Sequence, residues 1–246
     1  MAAIKRYKKE DRETYCLGAT VSMEFLNTRP KDVVKVYVHS AFYESETKEK
    51  IRKICCENGI PMETNDKAFS ILSQKENCFV IAVVKKYLCD LDPCASHVVL
   101  VNPSNAGNAG TIIRSALGFG VPDIAIIRPA VDFFDPKVVR ASMGAVSRVR
   151  FHYYDSWEQY AKSEGAGNRH FYPFMLDGST LLHKTKIQKP FSLVMGNEAT
   201  GLPPEFSKIG CPVRIEHGHG IDSLNLPIAT SIGLYEATKG DFDGEN

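Results

Sequence analysis

The pattern of apolar and polar positions falls into two stretches separated by a break. In the first, Val33–His39 is a β-branched run (VVKVYVH) and predicts a strand. Ser45–Asn58 places Ile51, Ile54 and Cys55 at helical spacing among charges, with Gly59 behind as a stop. Ile60–Thr64 predicts a short strand, and Asn65 or Asp66 caps a short helix through Leu72. Cys78–Val84 (CFVIAVV) is an unbroken apolar run of strand length, the pattern of a strand buried on both faces. Periodicity is lost across residues 85–96, which carry Pro93.

From His97 the pattern restarts as a regular exchange of strand and helix. Strands are predicted at His97–Val101, Ile124–Ile127, Val149–Tyr154, Phe171–Leu176, Phe191–Met195 and Val213–Glu216. Helices are predicted at Thr111–Phe119, Lys137–Ser142, Trp157–Ser163 and Ser223–Thr238, and residues 102–110 (NPSNAGNAG) read as a Gly/Asn-rich turn. Such alternation implies an α/β fold with a mostly parallel sheet and helices on its faces. Binding then belongs in loops at the carboxyl ends of strands, where helix N-termini meet the ligand. The domain reading is a small α/β domain over residues 1–90, a linker over 91–96 and a second α/β domain over 97–239. Residues 240–246 form an acidic, Gly-containing tail that is expected to be disordered.

Composition narrows the class. A chain of 246 residues, 43% hydrophobic and 24% charged, is neither wholly disordered nor collagen nor coiled coil. No uncharged apolar stretch approaches the ~18–20 residues of a membrane span. The first nine residues (MAAIKRYKK) have no apolar core behind their charges, so no secretory signal and a cytoplasmic location are expected. A net charge of +1 excludes a histone-like binder, although Lys5, Arg6, Lys8 and Lys9 form a local basic cluster able to touch phosphate. The seven cysteines include no C-x-x-C pair and no zinc-ligand spacing; reduced thiols and no metal are expected.

Three strand-to-loop junctions carry unusual residues. The first is Asn105-Ala-Gly-Asn108-Ala-Gly110 followed by Thr111-Ile-Ile-Arg114-Ser-Ala116. A helix opening there offers free N–H groups to an anion, and Arg114 on that helix could grip a phosphate with its planar fork. Neither G-x-G-x-x-G nor a Gly-Lys-Ser/Thr P-loop is present, which counts against an ordinary nucleotide-binding enzyme. The second is Gly196-Asn197-Glu198-Ala-Thr-Gly201-Leu202, at the end of an apolar strand. Glu198 needs an Arg or donated N–H groups there, since a buried unpaired carboxylate is too costly. In the third, a Gly/His loop after Val213–Glu216 leads to Ser223-Leu224-Asn225 and Pro227 at the start of the last helix, with Asp222 or Ser223 as its expected N-cap.

Together these junctions resemble the three motifs of the SpoU/TrmH-type branch of the SPOUT methyltransferases, in the same order. Motif one, roughly N-x-G-x-x-x-R-x-A, is matched by Asn108, Gly110, Arg114 and Ala116. Motif two, roughly G-x-E-x-x-G-L, is matched by Gly196, Glu198, Gly201 and Leu202; motif three, S-L-N with a following Ala, by Ser223, Leu224, Asn225 and Ala229. The resemblance covers about residues 97–238. It implies a parallel sheet whose C-terminal segment forms a trefoil knot, preceded by a small domain similar to ribosomal protein L30e. It implies methyl transfer from S-adenosylmethionine to a ribose 2′-hydroxyl of ribosomal or transfer RNA, without metal, by a homodimer with its site near the dimer interface. Gly196, Asn197, Gly201, Ile215 and Leu224 would line the cofactor pocket; Arg114, Asn108, Ser223, Asn225 and Glu198 would form the catalytic group. The N-terminal domain would select the RNA, with Lys5, Arg6, Lys8, Lys9, Arg29, Lys31, Lys85 and Lys86 as candidate phosphate contacts. One departure stands out: Glu216-His217 occupy the place where motif three usually has Pro-Met. The alternative reading is a non-catalytic RNA-binding or ribosome-assembly module of the same fold, which cofactor binding would separate from the enzyme.

Overall fold

The computed structural model describes residues 4–73, 77–163 and 169–242. The chain divides into two units, Met1–Tyr87 with Asp132–Arg148, and Leu88–Val131 with Val149–Asn246. Residues 132–148, assigned from sequence to the second domain, therefore pack with the first.

The first unit is built on a four-stranded sheet in the order β1-β4-β2-β3, comprising β1 (Glu13–Leu17), β2 (Val33–Val38), β3 (Met62–Thr64) and β4 (Val80–Lys85). β4 is antiparallel to β1 and β2, and β2 is parallel to β3. Its helices are α1 (Ala19–Thr28), α2 (Glu46–Glu57), α3 (Asp66–Leu72) and the later α5 (Pro136–Ala141). Ser45 caps α2 through its side chain, and of the two residues the sequence offers as cap of α3, Asn65 is the one that serves. β1 and α1 are absent from the sequence reading. β1 (ETYCL) shows neither strict alternation nor an unbroken apolar run, and α1 opens on Gly18 with no side-chain cap and no acid in its first turn. α5 packs on β1, and Thr14 donates from its buried hydroxyl to the Phe134 carbonyl.

The second unit holds a five-stranded, wholly parallel sheet in the order β7-β6-β5-β10-β8. Its strands are β5 (His97–Val101), β6 (Asp123–Ile127), β7 (Arg150–Tyr154), β8 (His170–Pro173) and β10 (Phe191–Met195). A two-residue parallel ladder joins β9 (Thr180–Leu181) to β11 (Val213–Arg214). The helices are α4 (Ala106–Gly118), α6 (Trp157–Lys162) and α7 (Leu226–Thr238). β5, β6 and β10 are buried at every position, the continuous apolar signature of a sheet covered on both faces. Of the predicted tail, Gly240 and Asp241 belong to a short 3-10 turn that starts at Lys239, and Asp241 pairs with Lys189; residues 243–246 lie outside the described residues.

Candidate active site

Strand order in the second unit runs from β5 out to β7 and then reverses to β10 and β8, so β5 and β10 flank a switch point. Loops leaving the carboxyl ends of strands diverge at such a point and open a crevice. The first motif follows β5, and the second follows β10.

After β5 the chain turns at Asn102, which adopts a left-handed φ of 53°. Asn105 then caps α4, its Oδ1 accepting from the Asn108 N–H at 3.0 Å. The stretch 106–110 is thus the opening of α4 rather than a turn. Ala-Gly-Asn-Ala-Gly contains nothing β-branched and no proline to resist helical dihedrals, and one capping Asn suffices to start it.

The N–H groups freed at this helix start do meet an anion, the chain's own Glu198. Its carboxylate accepts from the Ser104 N–H at 3.1 Å, the Ser104 hydroxyl at 2.8 Å and the Asn105 N–H at 3.1 Å. The Nδ2 groups of Asn108 and Asn197 approach it at 3.4 Å each. Burial pushes this carboxyl up, but the backbone and Ser104 hydrogen bonds outweigh burial and hold it below the usual glutamate range. This geometry makes Glu198 a positioning residue, which fastens the loop after β10 to the start of α4.

The second motif is a closed turn. Asn197 and Gly201 exchange backbone hydrogen bonds at 3.1 and 2.9 Å, while Asn197 Oδ1 accepts from the N–H groups of Ala199 and Thr200. Asn197 Nδ2 donates to the Asn102 carbonyl at 2.7 Å, a second tie to the first motif. Gly201 sits at φ +68°, and a Cβ on Gly196 would lie 2.2 Å from the Gly201 carbonyl carbon. Both glycines are therefore fixed by backbone geometry.

In the third motif β11 stops at Arg214 and α7 starts at Leu226. The residue before the helix is Asn225, not Asp222 or Ser223, and its side chain makes no capping bond. The helix is three residues shorter than the sequence reading at this end because Pro227, with fixed φ and no N–H, belongs in a first turn.

These loops and the stretch Phe174–Asp177 enclose a cleft of about 350 Å³. Gly196, Asn197, Gly201, Ile215 and Leu224 all line it, as do Glu198 and Ser223. Asn108 reaches the group through Glu198. Arg114 and Asn225 do not line the cleft; both are exposed, and among the described residues neither side chain has a hydrogen bond or ion pair. Sequence reasoning missed Ser104 and Asn105, which hold Glu198, and Asn102, which holds Asn197. The run Asn102-Pro-Ser-Asn105 carries a turn-and-cap signal that marks the helix start, though not its tie to Glu198. It also missed Phe174–Asp177, a loop that carries no motif.

The proposed phosphate contacts separate into two groups. Lys5 pairs with Asp11; Lys86 pairs with Asp132 at 3.1 Å; Arg29 pairs with Asp32 at 2.6 Å and lies 3.5 Å over the Tyr87 ring. Their charges are already engaged within the first unit. Arg6, Lys8, Lys9, Lys31 and Lys85 are exposed, and none has an ion pair among the described residues.

A family model described as the SpoU rRNA methylase family matches residues 95–235, a span that contains all three motifs. The chain belongs to the SpoU rRNA methylase family. A curated relative, the 23S rRNA (uridine(2479)-2'-O)-methyltransferase of Streptomyces viridochromogenes, is 28% identical over 182 residues, 67% of this chain and 61% of the relative. The AdoMet-bound rRNA methyltransferase of Sinorhizobium meliloti shares 26% identity, with a TM-score of 0.79 over 93% of this chain and 88% of that one. A solved structure described as giving insight into the 2-OH methylation of C/U34 on tRNA shares 27% identity, with a TM-score of 0.54 over 59% of this chain and 95% of that one. The chain spans 26%, 45% and 52% of the length of three further curated relatives. Among the described residues of this SpoU-family protein, no cluster of His, Cys, Asp and Glu could hold a metal ion, and no helix is long and apolar enough to cross a membrane.

Proposed function

We propose that this protein methylates a ribose 2′-hydroxyl in ribosomal or transfer RNA, using S-adenosylmethionine, in the cytoplasm. The observation that carries the reading is the joining of the first and second motifs by Glu198 beside a cleft that the second and third motifs line. The cleft suits the cofactor. Its volume lies in the range of small-molecule sites, and it combines apolar walls (Met195, Leu202, Leu224) with the polar side chains of Asp177, Arg214 and His217. Gly196, Asn197, Gly201, Ile215 and Leu224 would hold the cofactor, which supplies a methyl group on a sulfonium centre.

What remains for the chain's own residues is to position a weak nucleophile. A guanidinium is not a practical base, so the role left to Arg114 is to hold and polarise. Its guanidinium holds the phosphate beside the target ribose and favours the developing alkoxide through its field. Ser223 and Asn225 orient the hydroxyl, and Asn108 links Arg114's helix to Glu198.

The reading includes a homodimer. α4 and α7 present an apolar face in which Ile228 and Tyr235 are each 53% exposed beside Phe119 and Ile232. Thr111 borders that face and lies one helical turn before Arg114, so a second copy seated there would bring its surface to Arg114. The trefoil knot belongs to the same reading. Its support is the run Gly210–Val213, which passes against Phe171–Gly178 through Cys211 N–H to Phe171 O and Met175 N–H to Val213 O.

Calorimetry of S-adenosylmethionine binding is the first test, followed by methyl transfer to total RNA with a 2′-deoxy control. Saturable micromolar binding and a ribose-dependent product are expected. Failure to bind at millimolar cofactor would overturn the enzyme in favour of the non-catalytic RNA-binding module. Sedimentation of an Ile228→Asp variant, expected to be monomeric, tests the dimer.

A further inference from the structure

We propose that Glu216 and His183 form a clasp that holds the wall of the cofactor cleft in place, so that Glu216 is a positioning residue for cofactor binding. The inference rests on the reading of that cleft as the S-adenosylmethionine site. Glu216 is one of the two residues at which this chain departs from the motif-three pattern.

The wall in question is β11 and the residues that follow it. β11 is only two residues long, and its ladder to β9 consists of Val213↔Thr180 and Arg214↔Leu181. Upstream it is well tied: Thr180 N–H donates to Pro212 O, and Met175 N–H to Val213 O. Downstream the situation changes. Beyond that ladder, and among the described residues, the contact between His183 Nδ1 and the Glu216 carboxylate is the one polar tie from residues 215–224 to the rest of the chain.

The pair falls in register with the ladder. Counting on from Val213↔Thr180 in parallel places residue 216 opposite residue 183. The backbone ladder stops because Leu182–Lys184 turns into a 3-10 helix, and the side chains continue it where the backbone cannot. That 3-10 turn is a firm base. Leu182 is buried, the Thr185 N–H donates to the Leu182 carbonyl, and the Thr185 hydroxyl donates to the Leu181 carbonyl. Glu216 thereby connects a fixed point to the segment between Ile215 and His217, both of which line the cleft. A loop with few ties sits at the low-stability end of a fold, where one added interaction changes its open population measurably. Both partners are about half exposed, so the expected effect is that of a surface polar pair, a few-fold rather than orders of magnitude.

The test uses the full chain and two readouts. Hydrogen–deuterium exchange without cofactor should show the amides of residues 215–217 exchanging roughly two- to fivefold faster in Glu216→Gln and in His183→Gln than in the wild type. The charge-swapped double variant, His183→Glu with Glu216→His, should restore protection. Calorimetry should show the dissociation constant for S-adenosylmethionine rising by the same factor in each single variant and recovering in the swap. In turnover the loss should appear in KM for the cofactor, with kcat and KM for RNA unchanged. Unchanged exchange in both single variants would overturn the clasp, as would a swap that behaves no better than they do. Absence of cofactor binding by the wild type would instead remove the functional reading, and the exchange experiment would still decide whether the clasp exists.

Discussion

Two residues of the second unit show how surroundings decide protonation in opposite senses. Glu198 is kept ionised by the donors around it, whereas His97 is kept neutral. His97 is fully buried, its Nε2 donates to the Asp92 carbonyl, and its Nδ1 accepts from the Tyr160 hydroxyl, which in turn accepts from Ser192. Burial, followed by the nearby Arg169 charge, pushes the imidazole down to about 4. The unfolded chain, with an ordinary histidine near 6.5, takes up a proton first as pH falls. Stability from this group is therefore complete above pH ~6.5 and is lost progressively down to pH ~4. Urea unfolding should lose about 2 kcal/mol between pH 7.5 and 5.0 through this residue, and His97→Gln should remove that part of the slope. Equal slopes in the two proteins would show that His97 is not the group responsible. For the role proposed for Arg114, Arg114→Lys keeps the charge but loses the planar fork. If positioning of the phosphate is what matters, kcat falls about 100-fold while calorimetric cofactor affinity is unchanged. Activity near wild type would leave only a point charge in that role.

At the scale of elements, the three motifs were legible because each couples a strand end to an unusual loop, and the structure explains why their spacings are fixed. Gly196 and Gly201 are five apart because the turn between them closes on itself, and Glu198 lies where its carboxylate reaches α4. What could not be read was the partner of Glu198. The donors Ser104 and Asn105 lie more than ninety residues earlier, and only folding brings them together. The start of α4 was misread for a related reason: Asn and Gly signal turns in isolation, but Asn105 turns the same signal into a helix cap. Asn105→Ala should cost about 1 kcal/mol through the lost cap, since its N–H still reaches Glu198. Glu198→Gln should cost more, about 1–3 kcal/mol, because it sets an amide NH₂ among groups that donate. Chemical denaturation of both variants checks the order, and a larger loss for Asn105→Ala would reverse the assignment of which residue fastens this helix.

At the scale of the whole chain, the two-stretch pattern located a change of character near residue 90 but hid an exchange of sequence between units. Nothing in Asp132–Arg148 distinguishes it by composition; its assignment depends on which surface its apolar residues find. Phe133, Phe134, Val138, Val139 and Val146 are all buried, and α5 packs on β1. Tyr87 donates to the Val146 carbonyl at 2.9 Å, and Thr28 to Ser147 at 2.8 Å, so the segment is bonded into the first unit as well as packed there. A chain cut to begin at Leu88 would keep this segment and lose the rest of its unit. Five large apolar side chains would meet water together, a patch of several hundred Å² that soluble monomers rarely tolerate. Light scattering on that truncated chain should show aggregation, and a monodisperse product that still binds S-adenosylmethionine would refute the division into units. Deleting the first unit is therefore no test of whether it recognises RNA. Changing Arg6, Lys8 and Lys9 together to Ala leaves the buried segment covered and removes three exposed charges. If these residues contact phosphate, the slope of log affinity against log salt should fall by up to about three, with cofactor binding unaltered. An unchanged slope would move the RNA contact to another face of the molecule.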